Sequence, residues 1–348
     1  MNPFLNNCPL PGRQTGIITM EHGSGGLMMH RLVKNLVFET LQDVMTGNVH
    51  DGAMLKLEGN IAFSTDSFVV KPLFFPGGNI GELAVNGTVN DVAMCGAVPQ
   101  YLSLSFILEE GFLLEQFEQV LSGVRNACLK AGVKVVTGDT KVVEHGKGDE
   151  LYINTSGIGK IHPRAAIGSE RVKPGDVLLL SGQLAAHGTA VMCLREGLAF
   201  ETTIQSDTAA LNPLTTLLLD HLGNEIRFLR DPTRGGLATT LNELVADCGW
   251  GIEIEQAALP LQAQVEAACE VLGLDPLYVA NEGIFLAVVS PDVAAVALQL
   301  MQNHSLGVNA AIIGRITAAS EPRVLLRSKI GGTRVVHMLT GAQLPRIC

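Results

Sequence analysis

Residues 86–96 read Asn-Gly-Thr-Val-Asn-Asp-Val-Ala-Met-Cys-Gly. They close a helical pattern over 79–95 in which small residues are interrupted by Asn90-Asp91. Asp seldom sits among apolar structure unless it is paired or coordinates something. Outward from this helix, short β-type runs at 61–65, 100–108, 133–137 and 151–158 alternate with helical patterns at 79–95 and 113–131. Another helix is predicted over 25–42, directly after a glycine loop. The first half is therefore mixed α/β.

The second half repeats the mixture. Strands are predicted near 177–181, 252–255, 284–289, 310–316 and 322–326, and helices near 184–197, 208–222, 235–248, 261–272 and 292–302. Turn signals at His162-Pro163-Arg164 and Lys173-Pro174-Gly175-Asp176 place the boundary in the polar stretch 160–175. The expected organisation is an α/β domain over 1–165, a second α/β domain over 166–335 and a mobile tail over 336–348. With 348 residues, 47% of them hydrophobic, there is enough chain for two cores.

The formal charge is −10, and no basic run forms a nucleic-acid footprint. No apolar stretch reaches the ~18 residues of a membrane span, and the N-terminus lacks a signal-peptide pattern. A cytoplasmic protein is expected, with no nucleic-acid or membrane partner.

Further acids follow the pattern of Asp91. Asp66, in Ser64-Thr65-Asp66-Ser67-Phe68, and Asp139, in Val136-Thr137-Gly138-Asp139-Thr140-Lys141, each follow a β-type run. A glycine loop, His22-Gly23-Ser24-Gly25-Gly26, precedes the first helix, where backbone N–H groups and the helix terminus favour an anion. It fits neither the Walker A nor the GxGxxG pattern. Each Asp alone reads as a turn or helix-cap residue, the commonest use of Asp. Jointly with the glycine loop they favour a Mg²⁺–nucleotide site, because Mg²⁺ takes oxygen ligands and bridges carboxylates to phosphates. Leu229-Arg230-Asp231-Pro232-Thr233-Arg234-Gly235-Gly236-Leu237 suits phosphate contact or a rigid interface turn, and the sequence leaves the two open. Asn281-Glu282-Gly283 puts an acid at the mouth of the apolar run IFLAVV.

Seven cysteines without a CxxC pair suggest neither a disulfide framework nor a zinc site. Cys95, Cys128, Cys193, Cys248 and Cys269 are expected in or near the core. Cys8 lies in a Pro-rich leader. Cys348 is left as the thiol in the most reactive setting, on a tail that could sweep roughly 40 Å at ~3.3 Å per residue. It is not a prenylation site, which needs Cys fourth from the end.

In this order, HGSGG (22–26), TDSF (65–68), NGTVNDVAMCGA (86–97), TGDTK (137–141), RDPTRGG (230–236), NEG (281–283) and PRIC (345–348) resemble the PurM-like superfamily of ATP-dependent enzymes. That superfamily contains aminoimidazole ribonucleotide synthetase, selenophosphate synthetase and thiamine-monophosphate kinase. Within it the chain is similar to the hydrogenase-maturation family HypE. The resemblance spans nearly the whole chain, and PRIC is its most specific element.

The resemblance implies an N-terminal domain that dimerises into a β-barrel, a C-terminal domain completing a nucleotide cleft, and a homodimer. It implies that a carbamoyltransferase, HypF, loads a carbamoyl group on Cys348. ATP then drives dehydration to a thiocyanate, which passes to iron on a HypC–HypD complex. Under this reading His22, Gly23, Ser24, Gly25, Gly26, Asp66, Asn90, Asp91 and Asp139 bind ATP, and Asp66, Asp91 and Asp139 hold Mg²⁺. Cys348, Lys141 and Glu282 are the catalytic residues. Two alternatives stay open: a relative acting on a diffusible small molecule, and a non-catalytic carrier presenting Cys348.

Overall fold

The computed structural model describes residues 16–46, 52–198, 204–339, 341 and 347. Cys8, Cys348 and most of the expected tail lie outside the described residues.

Two sheets organise the chain. The first has the order β1–β6–β4–β5, from β1 (Ile61–Phe68), β4 (Ala97–Glu109), β5 (Lys134–Val143) and β6 (Leu151–Ile161). A small hairpin, β2 (Phe74–Phe75) with β3 (Gly78–Asn79), stands apart. One face of the four-stranded sheet carries α3 (Ile80–Met94) and α4 (Leu114–Ala131). Strand alternation explains the sidedness: Leu102, Leu104, Phe106 and Leu108 are buried under the helices, while Ile61, Phe63 and Ile107 on the other face are exposed. The first helix is broken by a π-helical stretch, Val33–Phe38, between α1 (Leu27–Leu32) and α2 (Glu39–Leu41).

The second sheet has the order β13–β12–β9–β11–β7–β10–β8. Its strands are β7 (Val177–Leu180), β8 (Ile226–Arg230), β9 (Gly251–Glu255), β10 (Leu286–Val289), β11 (Ala311–Thr317), β12 (Val324–Arg327) and β13 (Thr333–Val336). Both faces are covered. Leu178, Leu180, Leu286 and Val288 point into one core, with α5 (Ala186–Arg195), α7 (Gly236–Cys248) and α8 (Ala263–Leu272). Leu179, Ala287 and Val289 point into another, with α6 (Asn212–Leu222) and α9 (Ala294–Gln302).

The α/β class expected from the sequence is the class observed. Neither β8 nor β13 was legible as a strand. Cys95 corrects its expectation: it is exposed at the C-cap of α3, because the helix ends there and Gly96 turns the chain at φ +74°.

α3 joins the two halves. It packs on β1 and β6, and Ala93 and Met94 at its end belong to the core of the second half. Asn79 caps its start by accepting the N–H groups of Gly81 and Glu82. A helix buried on nearly all sides shows little amphipathic pattern. Its buried polar residues therefore mark contacts of their own.

Candidate active site

At the C-terminal half of α3, strand β1 and two loops of the second half converge. On β1, Ser64 and Asp66 share a strand face, and Ser64 Oγ donates to Asp91 Oδ2 on α3 at 2.7 Å. Asp231 follows directly on β8, and Glu282 precedes β10, the neighbour of β8 in the sheet. Asp66, Asp91, Asp231 and Glu282 are close enough for their charges to oppose one another.

Burial is the first cause of every shift in this cluster. It raises the carboxyls of Asp66 and Asp91, the latter despite the Ser64 hydroxyl, with Asp66 adding repulsion. Asp231 is pushed up to about 7 by burial and then by Asp91. Glu282 is raised well above the usual carboxylate range by burial, then by Asp231 and Asp207. The Arg234 guanidinium reaches only to 4.0 Å from Asp66 Oδ1. Glu282 Oε1 is buried without a hydrogen-bond partner among the described residues. A buried, unpartnered carboxylate oxygen is costly and calls for an explanation.

The loop carrying Glu282 is tied down by Asp207. Its carboxylate accepts the backbone N–H of Glu282 at 3.2 Å and of Gly283 at 2.9 Å. Glycine is required at 283, since an added Cβ would lie 1.6 Å from the Asp207 carbonyl oxygen. On the other side of the cluster, Gly235 and Gly236 adopt consecutive left-handed conformations, φ +75° and +60°, that carry the chain from Asp231 into α7.

Asn90, expected to contact nucleotide, spends its side chain on the joint between the two halves. Its Oδ1 accepts Leu211 N–H at 2.8 Å, and its Nδ2 donates to the carbonyls of Ala209 at 3.0 Å and Glu282 at 3.4 Å. The side-chain amide is committed to clasping the second half onto α3.

Asp139 and Lys141 are not brought to this cluster within one chain. The register Asp66↔Thr155, Thr155↔Leu104, Leu104↔Gly138 runs straight across the sheet. With strands ~4.8 Å apart, three spacings put Asp139 roughly 14 Å from Asp66. Asp139 instead pairs with Lys141 Nζ at 2.6 Å, and that hydrogen bond holds its carboxyl below the usual range. The glycine loop is on this same edge: the turn Met20–Gly23 packs on β5. His22 is buried there, accepting Thr19 N–H at Nδ1, and Ser24, Gly25 and Gly26 lead into α1. Between α1–α2 and β5 lies a cavity of ≈ 220 Å³ lined by Val33, Val37, Phe38, Phe106 and Asp139.

Two regions thus carry the predicted residues, one at each edge of the four-stranded sheet. Among the described residues, no three His, Cys, Asp or Glu side chains form a ready-made metal site. The donor set around Asp66, Asp91 and Asp231 is nonetheless chemically suited to Mg²⁺, because crowded oxygen donors in buried surroundings are relieved by a hard cation. Asp231, Asp207 and His187, which receives Ile347, were not singled out by sequence reasoning.

Family models agree with this two-part layout. Residues 49–161 match the model "AIR synthase related protein, N-terminal domain", and residues 173–327 match "AIR synthase related protein, C-terminal domain". The chain is 48% identical over 336 residues to the carbamoyl dehydratase HypE of Azotobacter vinelandii, covering 96% of this chain and 98% of that protein. The chain belongs to the HypE family. The Escherichia coli K12 member is 44% identical over 337 residues, covering 95% and 99% of the two chains. The fold matches a crystal structure of the hydrogenase maturation protein HypE in complex with ATP at a TM-score of 0.91 and 43% identity, over 95% of this chain and 99% of that one. It also matches a HypE–HypF complex at a TM-score of 0.78 and 44% identity, over 90% of this chain and 100% of the other. No helix among the described residues is long and apolar enough to cross a membrane.

Proposed function

We propose that this HypE-family chain is an ATP-dependent dehydratase of its own S-carbamoylated Cys348, converting the thiocarboxamide to a thiocyanate. The observation that carries the reading is the position of Ile347. The residue before Cys348 is 2% exposed, and its carbonyl accepts from His187 Nε2 at 2.8 Å. His187 also lies within backbone hydrogen-bonding reach of Asp207, the residue that holds the Glu282 loop. Ile347 is thereby tied, through His187 and Asp207, to the framework that holds the loop of Glu282.

Glu282 is suited to take protons from the carbamoyl nitrogen, because burial and neighbouring anions make its carboxylate a stronger base. Two N–H protons leave as the C≡N bond forms, and the oxygen departs as phosphate. ATP supplies the phosphoryl group that turns a poor leaving group into a good one. Asp66, Asp91 and Asp231 would hold Mg²⁺, which offsets phosphate charge during transfer. The buried position of Glu282 limits water, which would otherwise compete for the activated carbon.

Asp139 and Lys141 join this reading through a homodimer. Two four-stranded sheets closing edge to edge about a two-fold would place β5 of one copy beside β1 of the other and cover the exposed Ile61, Phe63 and Ile107. Lys141 would then face the partner's acidic cluster and offset charge on the carbamoyl oxygen. The apolar cavity beside Asp139 would take the nucleotide's base. HypF as carbamoyl donor and HypC–HypD as acceptor complete the scheme in the cytoplasm.

Replacing Cys348 by Ala tests the assignment. Carbamoyl-dependent ATP turnover should vanish while Mg-ATP still binds; unchanged turnover would point to a diffusible substrate.

A further inference from the structure

His187 opens α5 at the junction of the two halves and is fully buried. The ring of Phe75, from the β2–β3 hairpin, meets it edge-on at 5.3 Å with an interplanar angle of 88°. Its two nitrogens have different partners. Nδ1 lies 2.8 Å from Ser206 Oγ, and Nε2 lies 2.8 Å from the carbonyl oxygen of Ile347.

A carbonyl oxygen only accepts, so Nε2 carries the proton and donates it to Ile347. Burial pushes the imidazole down to about 4, which keeps the ring neutral near pH 7. Nδ1 is then an acceptor, and the Ser206 hydroxyl donates to it. Ser206 Oγ in turn accepts Thr208 N–H at 3.1 Å. The chain of donors runs one way, from the Thr208 amide through the Ser206 hydroxyl and the imidazole to the Ile347 carbonyl. The order fixes both tautomer and ring orientation.

The seat has an apolar wall as well. The Ile347 side chain is counted in the same buried cluster as Phe75, Val191 and Ala280. Its framework is continuous with the site: Gly188 N–H donates to Ala280 O at 3.0 Å, and Ala185 N–H to Asn281 Oδ1 at 2.7 Å. Ser206 holds the imidazole while its neighbour Asp207 holds the amides of Glu282 and Gly283. One dipeptide therefore sets the position of the tail seat and of the Glu282 loop together.

We propose that His187 is a positioning residue, oriented by Ser206, whose Nε2–H grips the Ile347 carbonyl and so sets where the thiol of the following residue is presented to Glu282. The seat reads one backbone carbonyl and one branched apolar side chain, both from the aliphatic residue ahead of the cysteine. The role rests on the dehydratase reading for its purpose, though not for its measurement.

The test is the rate at which N-ethylmaleimide alkylates Cys348 in the full chain, followed by peptide mass spectrometry. His187→Leu, which fills the space but offers no donor, should raise that rate about tenfold, as loss of one buried hydrogen bond implies. His187→Gln, whose amide can replace the Nε2 donor, should stay within about twofold of the parent. Ile347→Gly should match His187→Leu, and the two changes together should do no more than either alone. Unaltered alkylation of buried Cys128 and Cys269 controls for folding. If His187→Leu does not fold, Ile347→Gly decides the matter. An unchanged Cys348 rate in a folded His187→Leu or Ile347→Gly variant, or a Gln variant that behaves like Leu, overturns the proposal. Labelling uses neither carbamoyl group nor ATP, so a missing seat and a missing dehydratase are separate outcomes.

Discussion

Asp207 grips the main chain of Glu282: one carboxylate accepts the N–H groups of both Glu282 and Gly283. Seventy-five residues separate the pair in sequence. The general base of the proposed reaction is thus aimed by a residue that has no contact with the reacting atoms in this scheme. Asp207→Ala leaves two buried donors unsatisfied, which costs about 2–4 kcal/mol. We expect a lower unfolding temperature and a kcat reduced more than Mg-ATP affinity, read by thermal melts, single-turnover assays and calorimetry.

The same carboxyl gives a pH signature. Burial raises Asp207 from 3.8 to about 6. The folded state therefore binds a proton that the unfolded state has released. Its stabilising contribution is fully present below pH 3.8 and is lost as pH rises through 6, to a total of about 3 kcal/mol. Asp207→Asn should flatten the pH dependence of stability between 4 and 6, measured by urea unfolding across that window. A slope unchanged from the parent would remove Asp207 as its source.

Asn90 links the halves through Leu211, Ala209 and Glu282. Asn90→Ala should destabilise by about 2–3 kcal/mol, because buried partners lose their hydrogen bonds. Calorimetry should show this as a lower melting temperature, with nucleotide affinity reduced less than in Asp91→Asn. A variant that binds Mg-ATP as poorly as Asp91→Asn yet melts like the parent would place Asn90 in direct ligand contact instead.

If Lys141 of one copy serves the acidic cluster of the other, inactive variants should complement. Lys141→Ala and Asp91→Asn would each be inactive alone. Mixed after dissociation, they should recover roughly a quarter of parental turnover, because half the dimers are mixed and each has one intact site of two. Absence of recovery, with mixed dimers confirmed by native mass spectrometry, would place both residues in the same chain's site.

Local pattern explains what the sequence made legible. The strand after 61 announces itself by alternation, the strands near 177 and 286 by short continuous apolar runs, and the helix over 79–95 by its length and small residues, and the α/β class follows. β8 (IRFLR) and β13 (TRVV) carry arginines and are only partly buried, so neither forms an apolar run. The carboxylates Asp66, Asp91 and Asp139 were visible because an acid beside apolar residues is unusual. Asp231 was within the quoted RDPTRGG stretch, yet its arginines and glycines suggested phosphate or interface contact first. Ser206-Asp207 and His187 carry no local signal: a Ser-Asp-Thr segment reads as a loop, and a histidine on an apolar helix reads as core. Their partners lie 75 to 160 residues away, at Glu282 and Ile347. Only folding makes those pairs.

The most direct test follows the tail itself. The full chain would be incubated with a carbamoyl donor, the partner carbamoyltransferase and Mg-ATP, and the peptide bearing Cys348 followed by mass spectrometry. The account predicts addition of one carbamoyl group, then loss of one water that requires ATP and does not occur in Glu282→Gln. A carbamoylated peptide that persists unchanged while ATP is available would contradict it.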